Sequence, residues 1–365
     1  MKQSFKDIVA SERAKSIERL LSKVPQWAGT ELTVPSSLAS EQCSSSATAL
    51  YKAGLLKPCR SIADLTGGLG VDCWAFAQSA EIVYHNELNP ELSDAAKANF
   101  AKLGLTNVEF SSQDAAVRLE SLPEVDAIYM DPARRDSAGR KVFMVEDCRP
   151  DVLNMLPDLL RKTPLLLVKL SPMADITMLC GIFAPHLREL HVVSMKGEVK
   201  ELLLLITRSE NTGEPLLVAT DMESKLEFRP SEEKSATAHF AGSDLTGTLL
   251  YEPDPAILKA GAFKLLCGRF DIAKLAVSTH LYCVEKPVCF GKHYRILEVF
   301  DWSKSGVKEC AAAFPEAEVS ARNFPMGSDE LRSRLKVSPS QHFHIFGTTL
   351  DPSRRVLIAT SREDT

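Results

Sequence analysis

One stretch of the sequence decides the fold, and it reads DLTGGLGVD at residues 64–72. The apolar run SIADL at residues 61–65 overlaps the start of this stretch and predicts a strand. Residues 72–79 predict a helix. The turn between them contains three glycines: Gly67, Gly68 and Gly70. Glycine adopts positive φ and lets backbone approach a ligand, so this stretch predicts an open crevice at the end of the first strand.

Short apolar strands alternate with helices after this turn. Strands are predicted at 81–87, 107–110, 125–131 and 165–170. The alternation predicts a parallel sheet with right-handed crossovers. The next two apolar runs, 187–195 and 200–207, are joined too tightly for a crossover and predict an antiparallel hairpin. The predicted fold class is therefore α/β, with a Rossmann-like parallel sheet that ends in a hairpin.

The segments on either side of this sheet follow other patterns. Residues 5–24 and 45–56 predict N-terminal helices, because apolar residues recur at helical spacing, while residues 25–40 between them read as a loop. After Leu249 the chain predicts mixed helices and strands, with a helix near Pro255. We expect a separate α+β region there.

Composition and charge limit the class of protein. With 43 Lys and Arg against 48 Asp and Glu, the net charge of −5 does not suggest a protein that coats nucleic acid non-specifically. No apolar run approaches the roughly 18 residues of a membrane span, and no signal peptide is apparent. The nine cysteines are scattered without CxxC spacing. We therefore expect a cytoplasmic location, no metal site and no membrane partner.

Acidic residues at the strand ends accompany the glycine turn. Asp64 or Asp72 is placed to bind an ammonium group, and the free N–H groups of the following helix start suit a carboxylate. Glu87 ends the second strand, where a carboxylate can accept two ribose hydroxyls. Asp114, just after the third strand, can accept a hydrogen bond from an adenine amino group. NAD is one ligand that such a crevice could bind. The turn lacks the third glycine of the GxGxxG pattern, however, which argues against NAD.

The fourth strand ends in the run DPARR, at the same edge of the predicted sheet as the glycine turn. Asp131, in a loop stiffened by Pro132, can hold an amino group or a ring nitrogen. Arg134 and Arg135 can anchor a phosphate or carboxylate, although an exposed basic loop is the alternative for Arg135. Lys169 lies inside the apolar fifth strand and needs a partner, for which pairing with Asp131 is favoured.

The runs DLTGGLGVD, HNELNP, SQDA, MDPARR and VKLSP, in this order, resemble the class I S-adenosylmethionine-dependent methyltransferases. Four further runs resemble bacterial methyltransferases with ferredoxin-like and THUMP-like C-terminal domains: EQCSSSATALYKAG (41–54), LYEPDPAILKAG (250–261), HYRILEVFDWS (293–303) and ARNFP (321–325). The resemblance implies S-adenosyl-L-methionine as cofactor. The donor-binding residues that it implies are Asp64, Thr66, Gly67, Gly68, Gly70, Glu87 and Asp114.

The resemblance also implies a division into four regions. These are an N-terminal helical region (1–58), a methyltransferase domain (59–210), a linker with a ferredoxin-like domain (211–292) and a THUMP-like domain (293–365). THUMP-like domains usually bind RNA, so an RNA acceptor is implied. The sequence departs from related families at two places. Pro-Ala-Arg replaces the Pro-Pro-aromatic run of amino-group methyltransferases, which argues against a flipped purine stacked on an aromatic ring. No cysteine nucleophile follows the fifth strand, which argues against covalent activation of a pyrimidine.

We predict direct methyl transfer from S-adenosylmethionine to a nitrogen of structured RNA, either tRNA or rRNA. Asp131, Pro132 and Arg134 are the predicted residues at the acceptor end, where proximity and orientation supply most of the catalysis. Two other functions remain open. One is methylation of a small molecule, and the other is RNA binding without catalysis by a protein that keeps the donor fold.

Overall fold

The computed structural model describes residues 5–133, 148–242, 244–288, 290–350 and 352–362. The chain divides into two compact units. The first comprises Met1–His191 and Lys200–Pro215, and the second comprises Val192–Val199 and Leu216–Thr365. The predicted site residues Arg134 and Arg135 lie outside the described residues.

Helices precede the first strand. They are α1 (Phe5–Lys23), a 3-10 turn (Pro25–Trp27), α2 (Ser37–Gln42) and α3 (Ser46–Leu55). Ser36 and Ser45 begin α2 and α3, because each side chain accepts a backbone N–H from the first turn of its helix. The prediction of a loop over residues 25–40 was therefore partly wrong. A serine N-cap starts a helix that is too short to show a periodic pattern.

The sheet of the first unit is parallel over its first five strands. Its strands are β1 (Ser61–Asp64), β2 (Ile82–Asn86), β3 (Val108–Ser111), β4 (Ala127–Met130), β5 (Leu165–Leu170), β6 (Leu187–Met195) and β7 (Glu198–Thr207). They follow the order β3-β2-β1-β4-β5-β7-β6, and β7 runs antiparallel to β5. The predicted fold, a Rossmann-like sheet that ends in a hairpin, is confirmed.

Helices connect the parallel strands. They are α4 (Val71–Ala77), α5 (Pro90–Lys102), α6 (Ala115–Ser121), α7 (Val152–Lys162) and α8 (Ile176–Phe183). Asn89, Asp114, Asp151 and Asp175 each cap the start of one of these helices with a side-chain oxygen. Since each helix starts just beyond a strand or the loop that follows it, polar side chains gather at the carboxyl edge of the sheet.

The central strands carry the core of this unit. Every residue of β4, Ala127–Met130, is completely buried, as are Leu166, Leu167 and Val168 of β5. Burying one such large apolar side chain stabilises the fold by roughly 1.5–3 kcal/mol. Because these strands are covered on both faces, their apolar runs are continuous, as is usual for a parallel sheet.

The second unit begins with a strand pair and continues as an α+β structure. Its elements are β8 (Leu216–Thr220), β9 (Lys225–Phe228), α9 (Pro230–Ser235), β10 (Leu249–Pro253), α10 (Pro255–Ala260), α11 (Leu265–Phe270), β11 (Ala273–Ala276), β12 (Thr279–Val284), β13 (Gly291–Asp301), α12 (Lys304–Ala313), β14 (Glu318–Arg322), α13 (Ser328–Leu335), β15 (Phe343–Leu350) and β16 (Arg354–Arg362). β8 and β9 pair antiparallel.

Seven strands form the main sheet of the second unit, in the order β11-β12-β10-β13-β16-β15-β14. One face buries a cluster that includes Leu250, Ile296 and Phe346. The opposite face packs another cluster, which includes Cys310 of α12 and Leu331 of α13. The structure thus has the predicted C-terminal α+β region, with a sheet that is covered by helices on one side.

Candidate active site

The carboxyl ends of β1, β2 and β4 lie side by side. Asp64 pairs in register with His85 of β2 and with Tyr129 of β4. The residues that follow these strands therefore meet at one edge of the sheet. Backbone hydrogen bonds join the edge, because the Gly67 N–H donates to Asn86 O at 2.8 Å. This is the position at which open α/β sheets bind ligands.

Asp64 is the buried acid at the bottom of this crevice, with 1% of its surface exposed. Its Oδ1 accepts the Thr66 N–H at 2.9 Å, and its Oδ2 accepts the Cys73 thiol at 3.3 Å. Burial, followed by the charge of Asp72, raises the pKa of Asp64 to about 7. The carboxyl group is consequently poised to change its charge near neutral pH.

Thr66 connects Asp64 to the acceptor side. Its Oγ1 accepts the backbone N–H of Asp131 at 2.7 Å, and its own hydroxyl reaches Asp64 Oδ1 at 3.3 Å. The threonine therefore fixes the backbone at the end of β4 to the turn after β1. Pro132, the next residue, is buried, and Ala133 forms an antiparallel bridge with Arg149.

Glu87 lies at the end of β2 and holds the glycine turn. Its Oε2 accepts the Gly68 N–H at 2.9 Å, while its Oε1 accepts the Asn89 N–H at 2.9 Å. Each carboxylate oxygen can accept a second hydrogen bond. The half-buried Glu87 can therefore still bind a pair of hydroxyl groups in the crevice.

The three glycines of the turn have different roles. A Cβ at Gly67 would lie 2.3 Å from the His85 ring, and one at Gly70 would lie 2.8 Å from the Phe100 ring. These two glycines allow the turn to pack closely against β2 and α5. At Gly68, φ is +55° and no atom lies within 4 Å of an added Cβ. Gly68 therefore leaves open space in the crevice, with its N–H held by Glu87.

Asp114 caps α6 at the rim of the crevice, where its Oδ1 accepts the Ala116 N–H at 2.8 Å. Its loop is held by Asn86, a buried residue of β2. The Asn86 Nδ2 donates to Gln113 O at 3.0 Å, and its Oδ1 accepts from Ser111 Oγ at 2.9 Å. Asn86 thus positions the segment that carries Asp114, and the sequence pattern did not single it out.

Asp72 belongs to a buried charge cluster formed with Lys52 and Glu201. The Lys52 ammonium lies 2.9 Å from Asp72 Oδ1 and 3.2 Å from Glu201 Oε2. Ser44 and Tyr129 donate to Asp72 Oδ2 at 2.8 and 3.2 Å. Burial alone would raise the pKa of Asp72, but the charges of Lys52 and Lys169 and the hydrogen bonds from Lys52 and Ser44 together outweigh it, and the pKa falls. For Glu201 burial prevails, and its pKa is raised.

Asp131 and Lys169 form the ion pair that the sequence favoured, and the pairing is confirmed. The Lys169 ammonium donates to Asp131 Oδ2, with 16% of the lysine side chain and 34% of the aspartate side chain exposed. Burial tends to lower the pKa of Lys169, but Asp131 and Glu201 raise it well above its ordinary value. Lys169 is therefore a fixed cation at the acceptor end.

Two features of the site escaped the sequence pattern. Leu88 follows Glu87 and is 67% exposed, so it presents an apolar side chain at the rim of the crevice. A leucine directly after a strand-end acid is the sequence feature that could have singled it out. The partners of Asp72, namely Lys52 and Glu201, gave no such signal because they lie far from it in sequence.

The residues of the crevice fit an adenosyl sulfonium compound. Such a ligand has ribose hydroxyls, an ammonium group and an aromatic base. Glu87 offers acceptors to hydroxyls, and Asp64 offers a carboxylate to an ammonium group. The open space at Gly68 leaves room for ligand atoms, and Leu88 offers apolar surface to the base.

Several solved structures are similar to this chain. A protein from Porphyromonas gingivalis W83, solved as a "putative methyltransferase", has 33% sequence identity and a TM-score of 0.89, covering 97% of this chain and 90% of that one. A methyltransferase from Geobacter sulfurreducens has 13% identity and a TM-score of 0.35, covering 57% of this chain and 92% of its own. TrmK from M. capricolum, solved in complex with S-adenosylhomocysteine, has 15% identity and a TM-score of 0.34, covering 44% of this chain and 68% of its own.

Family models match the C-terminal part of the chain. A ferredoxin-like domain matches residues 249–290, and a THUMP domain-like model matches residues 291–362. No curated protein matches the chain significantly. The fold and the site define a class I S-adenosylmethionine-dependent methyltransferase with ferredoxin-like and THUMP-like C-terminal domains. The chain belongs to the family of the Porphyromonas gingivalis protein.

Within residues 5–133, 148–242, 244–288, 290–350 and 352–362, no group of three or more His, Cys, Asp or Glu side chains is arranged to hold a metal ion. In that same part of the chain, no helix has the length and apolar character to cross a membrane.

Proposed function

We propose that the chain transfers the methyl group of S-adenosylmethionine to a nitrogen of structured RNA, either a tRNA or an rRNA. The observation that carries the proposal is the coupling of Glu87 to the glycine turn. This acid is held by the Gly68 N–H at 2.9 Å, opposite the buried Asp64. The arrangement supplies acceptors for both ends of an adenosyl amino acid within one crevice.

At the donor end, each residue has a separate role. Glu87 accepts the ribose hydroxyls, and Leu88 packs against the adenine ring. Asp64, once ionised, accepts the ammonium group of the methionine part. Asp114 and the Gly68 backbone complete the walls of the crevice. When bound, S-adenosylmethionine supplies an electrophilic methyl group on a sulfonium ion.

At the acceptor end, Asp131 orients the substrate nitrogen. Its backbone is fixed by Thr66 and its carboxylate by Lys169, so it can hold the nitrogen in line with the methyl group. Pro132 stiffens the following backbone. Arg134 remains a candidate for binding a substrate phosphate or carboxylate.

Support for an RNA substrate comes from a group of cations in the THUMP-like domain. The charges of Lys292, Arg322 and Arg362 act on the half-buried His344, and Arg322 is also ion-paired with Glu252 at 2.8 Å. Burial and these positive charges together lower the pKa of His344 to about 4, so the histidine is neutral and the charge of the group comes from the other side chains. Lysine and arginine side chains grouped on one surface favour contacts with the phosphates of RNA.

The donor site is tested by thermal shift with S-adenosylhomocysteine. We expect the wild-type melting temperature to rise, Glu87→Ala to remove most of the rise, and Asp131→Ala to keep it while abolishing methyl transfer. A rise with NAD and none with S-adenosylhomocysteine would contradict the donor assignment. Donor binding without transfer to tRNA, rRNA or any small molecule would favour the non-catalytic alternative.

The RNA substrate is tested by the salt dependence of RNA binding. Lys292→Ala and Arg362→Ala should each weaken binding to total tRNA or rRNA and reduce the slope of log affinity against log salt by ~1. Lys308→Ala, an exposed substitution on α12, is the matched control and should change neither. Equal RNA affinity in all four proteins would contradict this surface and favour a small-molecule substrate.

We also propose the four-region division at 1–58, 59–210, 211–292 and 293–365, and a cytoplasmic location. The boundary between the last two regions is supported by the family models, which match residues 249–290 and 291–362. Limited proteolysis followed by mass spectrometry should cut near residues 58 and 210, whereas residue 292 lies within β13 and should be protected. Cleavage that is concentrated inside one of the four regions would contradict these boundaries.

A further inference from the structure

The ends of β4 and β5 present an acid and an amine side by side. The two strands are parallel neighbours, with Met130 opposite Val168. Asp131 and Lys169 follow these positions, and the ammonium of Lys169 donates to Asp131 Oδ2. Among the described residues, no side chain donates to Asp131 Oδ1. Both side chains are partly exposed, so each retains hydrogen-bonding capacity toward a substrate.

This pair has a defined hydrogen-bonding polarity. An ionised aspartate only accepts hydrogen bonds, and a lysine ammonium only donates them. The complementary substrate edge therefore has an N–H donor beside an acceptor atom. Two kinds of nucleobase edge meet this requirement. One is the lactam edge, in which a ring N–H adjoins a carbonyl oxygen. The other is an exocyclic amine beside an unprotonated ring nitrogen.

The fixed charge of Lys169 distinguishes these two edges. An exocyclic amine gains positive charge as it accepts a methyl group, and an adjacent ammonium opposes that change. A lactam nitrogen first gives up its proton, and the resulting negative charge spreads to the carbonyl oxygen. A neighbouring ammonium stabilises this charge, as hydrogen-bond donors do in other sites where negative charge develops. The electrostatics of the pair therefore favour the lactam.

We propose that the methylated nitrogen is the ring N–H of a lactam edge, as in N1 of guanine or N3 of uracil. This inference rests on the proposed function. Asp131 Oδ1 takes the proton as the N–H bond breaks, and Lys169 donates to the carbonyl oxygen. The nitrogen lone pair forms the new bond to the methyl carbon of the sulfonium donor. The electron pair of the broken carbon–sulfur bond stays on sulfur, which becomes a neutral thioether.

The acceptor is identified by mass spectrometry of nucleosides from the tRNA and rRNA of a deletion strain. We expect one methylated nucleoside to disappear, with its methyl group on a ring nitrogen beside a carbonyl. Loss of a nucleoside methylated on an exocyclic amine would overturn this inference and leave the proposed function standing. If every methylated nucleoside persists, the proposed function itself is contradicted.

The role of Lys169 is tested with Lys169→Met and Lys169→Arg. On unmethylated RNA from the deletion strain, Lys169→Met should lower the methylation rate about 100-fold, and Lys169→Arg should restore part of it. Without donor, Lys169→Met should bind that RNA more weakly than wild type, whereas the thermal shift with S-adenosylhomocysteine should be unchanged in both variants. Wild-type methylation and RNA affinity in folded Lys169→Met would overturn the inference. If Lys169→Met does not fold, wild-type rates in Lys169→Gln would do the same.

Discussion

The two halves of the site are built in different ways. The donor half, defined by Asp64, Thr66, Gly68 and Glu87, is held together by backbone N–H groups that donate to side-chain oxygens. The acceptor half, defined by Asp131 and Lys169, depends on charged side chains. The buried charge cluster of Lys52, Asp72 and Glu201 contributes to it, because its carboxylates also raise the pKa of Lys169.

This difference determines how each half responds to change. The donor half comes from a short span of sequence, and its acids keep their backbone partners whatever happens elsewhere. The acceptor half joins residues from α3, α4, β5 and β7, so the loss of one charge leaves its partners buried without compensation. We therefore expect substitutions in the donor half to reduce affinity, and substitutions in the charge cluster to reduce stability.

The largest effect is expected from Lys52→Met. Lysine 52 is completely buried between two carboxylates, and its removal leaves both charges unpaired. The free energy of unfolding should fall by about 3–5 kcal/mol, measured by urea denaturation. The control Lys97→Met, at an exposed position on α5, should change it by no more than about 0.5 kcal/mol. Equal losses of unfolding free energy in Lys52→Met and Lys97→Met would contradict the stabilising role of the charge cluster.

A smaller effect is expected from Glu87→Ala, and it should appear in affinity. Loss of the hydrogen bonds to a charged group costs about 1.5–3 kcal/mol, or roughly 10- to 100-fold in the dissociation constant for S-adenosylhomocysteine. Isothermal calorimetry measures this change. The nearby exposed Glu91→Ala should bind the compound as wild type does. If both variants bind equally, the donor half is not organised around Glu87.

The next effect concerns Asp64→Asn and depends on pH. Between the ordinary value of 3.8 and its folded pKa of about 7, Asp64 keeps a proton that the unfolded chain has released. Wild-type stability from this group is therefore present at low pH and lost as pH rises toward 7.

The Asp64→Asn variant would have no such loss. At ~1.4 kcal/mol per pKa unit, the shift from 3.8 to about 7 corresponds to about 4 kcal/mol. Loss of the Cys73 hydrogen bond to Oδ2 offsets part of this, so Asp64→Asn should unfold with a free energy roughly 1–3 kcal/mol higher than wild type at pH 8, with little difference at pH 4. Urea denaturation at the two pH values measures this, and donor affinity should decrease in the same variant. A constant difference across the pH range would show that Asp64 does not titrate near neutrality.

The smallest effect is expected from Leu88→Ala. The side chain is largely exposed, so stability should change by no more than about 0.5 kcal/mol. Affinity for S-adenosylhomocysteine should fall about 5-fold, because apolar contact with the adenine ring is lost. Val117→Ala, which also removes an exposed apolar side chain, is the control for both measurements. Unchanged affinity for S-adenosylhomocysteine in Leu88→Ala would contradict a contact between Leu88 and the adenine ring.

The sequence indicated most of the fold of the first unit for a physical reason. Its strands are buried on both faces, so they appear as short continuous apolar runs, and β5 was predicted with its observed bounds, Leu165–Leu170. Helix starts were equally visible, because Asn89 and Asp114 are good caps. In the second unit, the four-residue strand β11 and the six-residue helix α11 are too short to carry a period, and neither was predicted.

The sequence likewise predicted some features of the candidate site and missed others. The positions of Asp64, Glu87 and Asp131 at strand ends followed from the alternation of strands and helices. The link from Thr66 to the backbone of Asp131 did not, because it depends on β1 and β4 being neighbours. The cluster around Lys52 also escaped prediction, since its members come together only when α3 packs near α4 and β7.

The crystal structure of the protein soaked with S-adenosylhomocysteine tests the central claim most directly. We predict the ribose hydroxyls on the Glu87 carboxylate, the ammonium group toward Asp64, and the sulfur directed to Asp131. Density for the compound outside this crevice, or a crevice filled by side chains in the soaked crystal, would contradict the account.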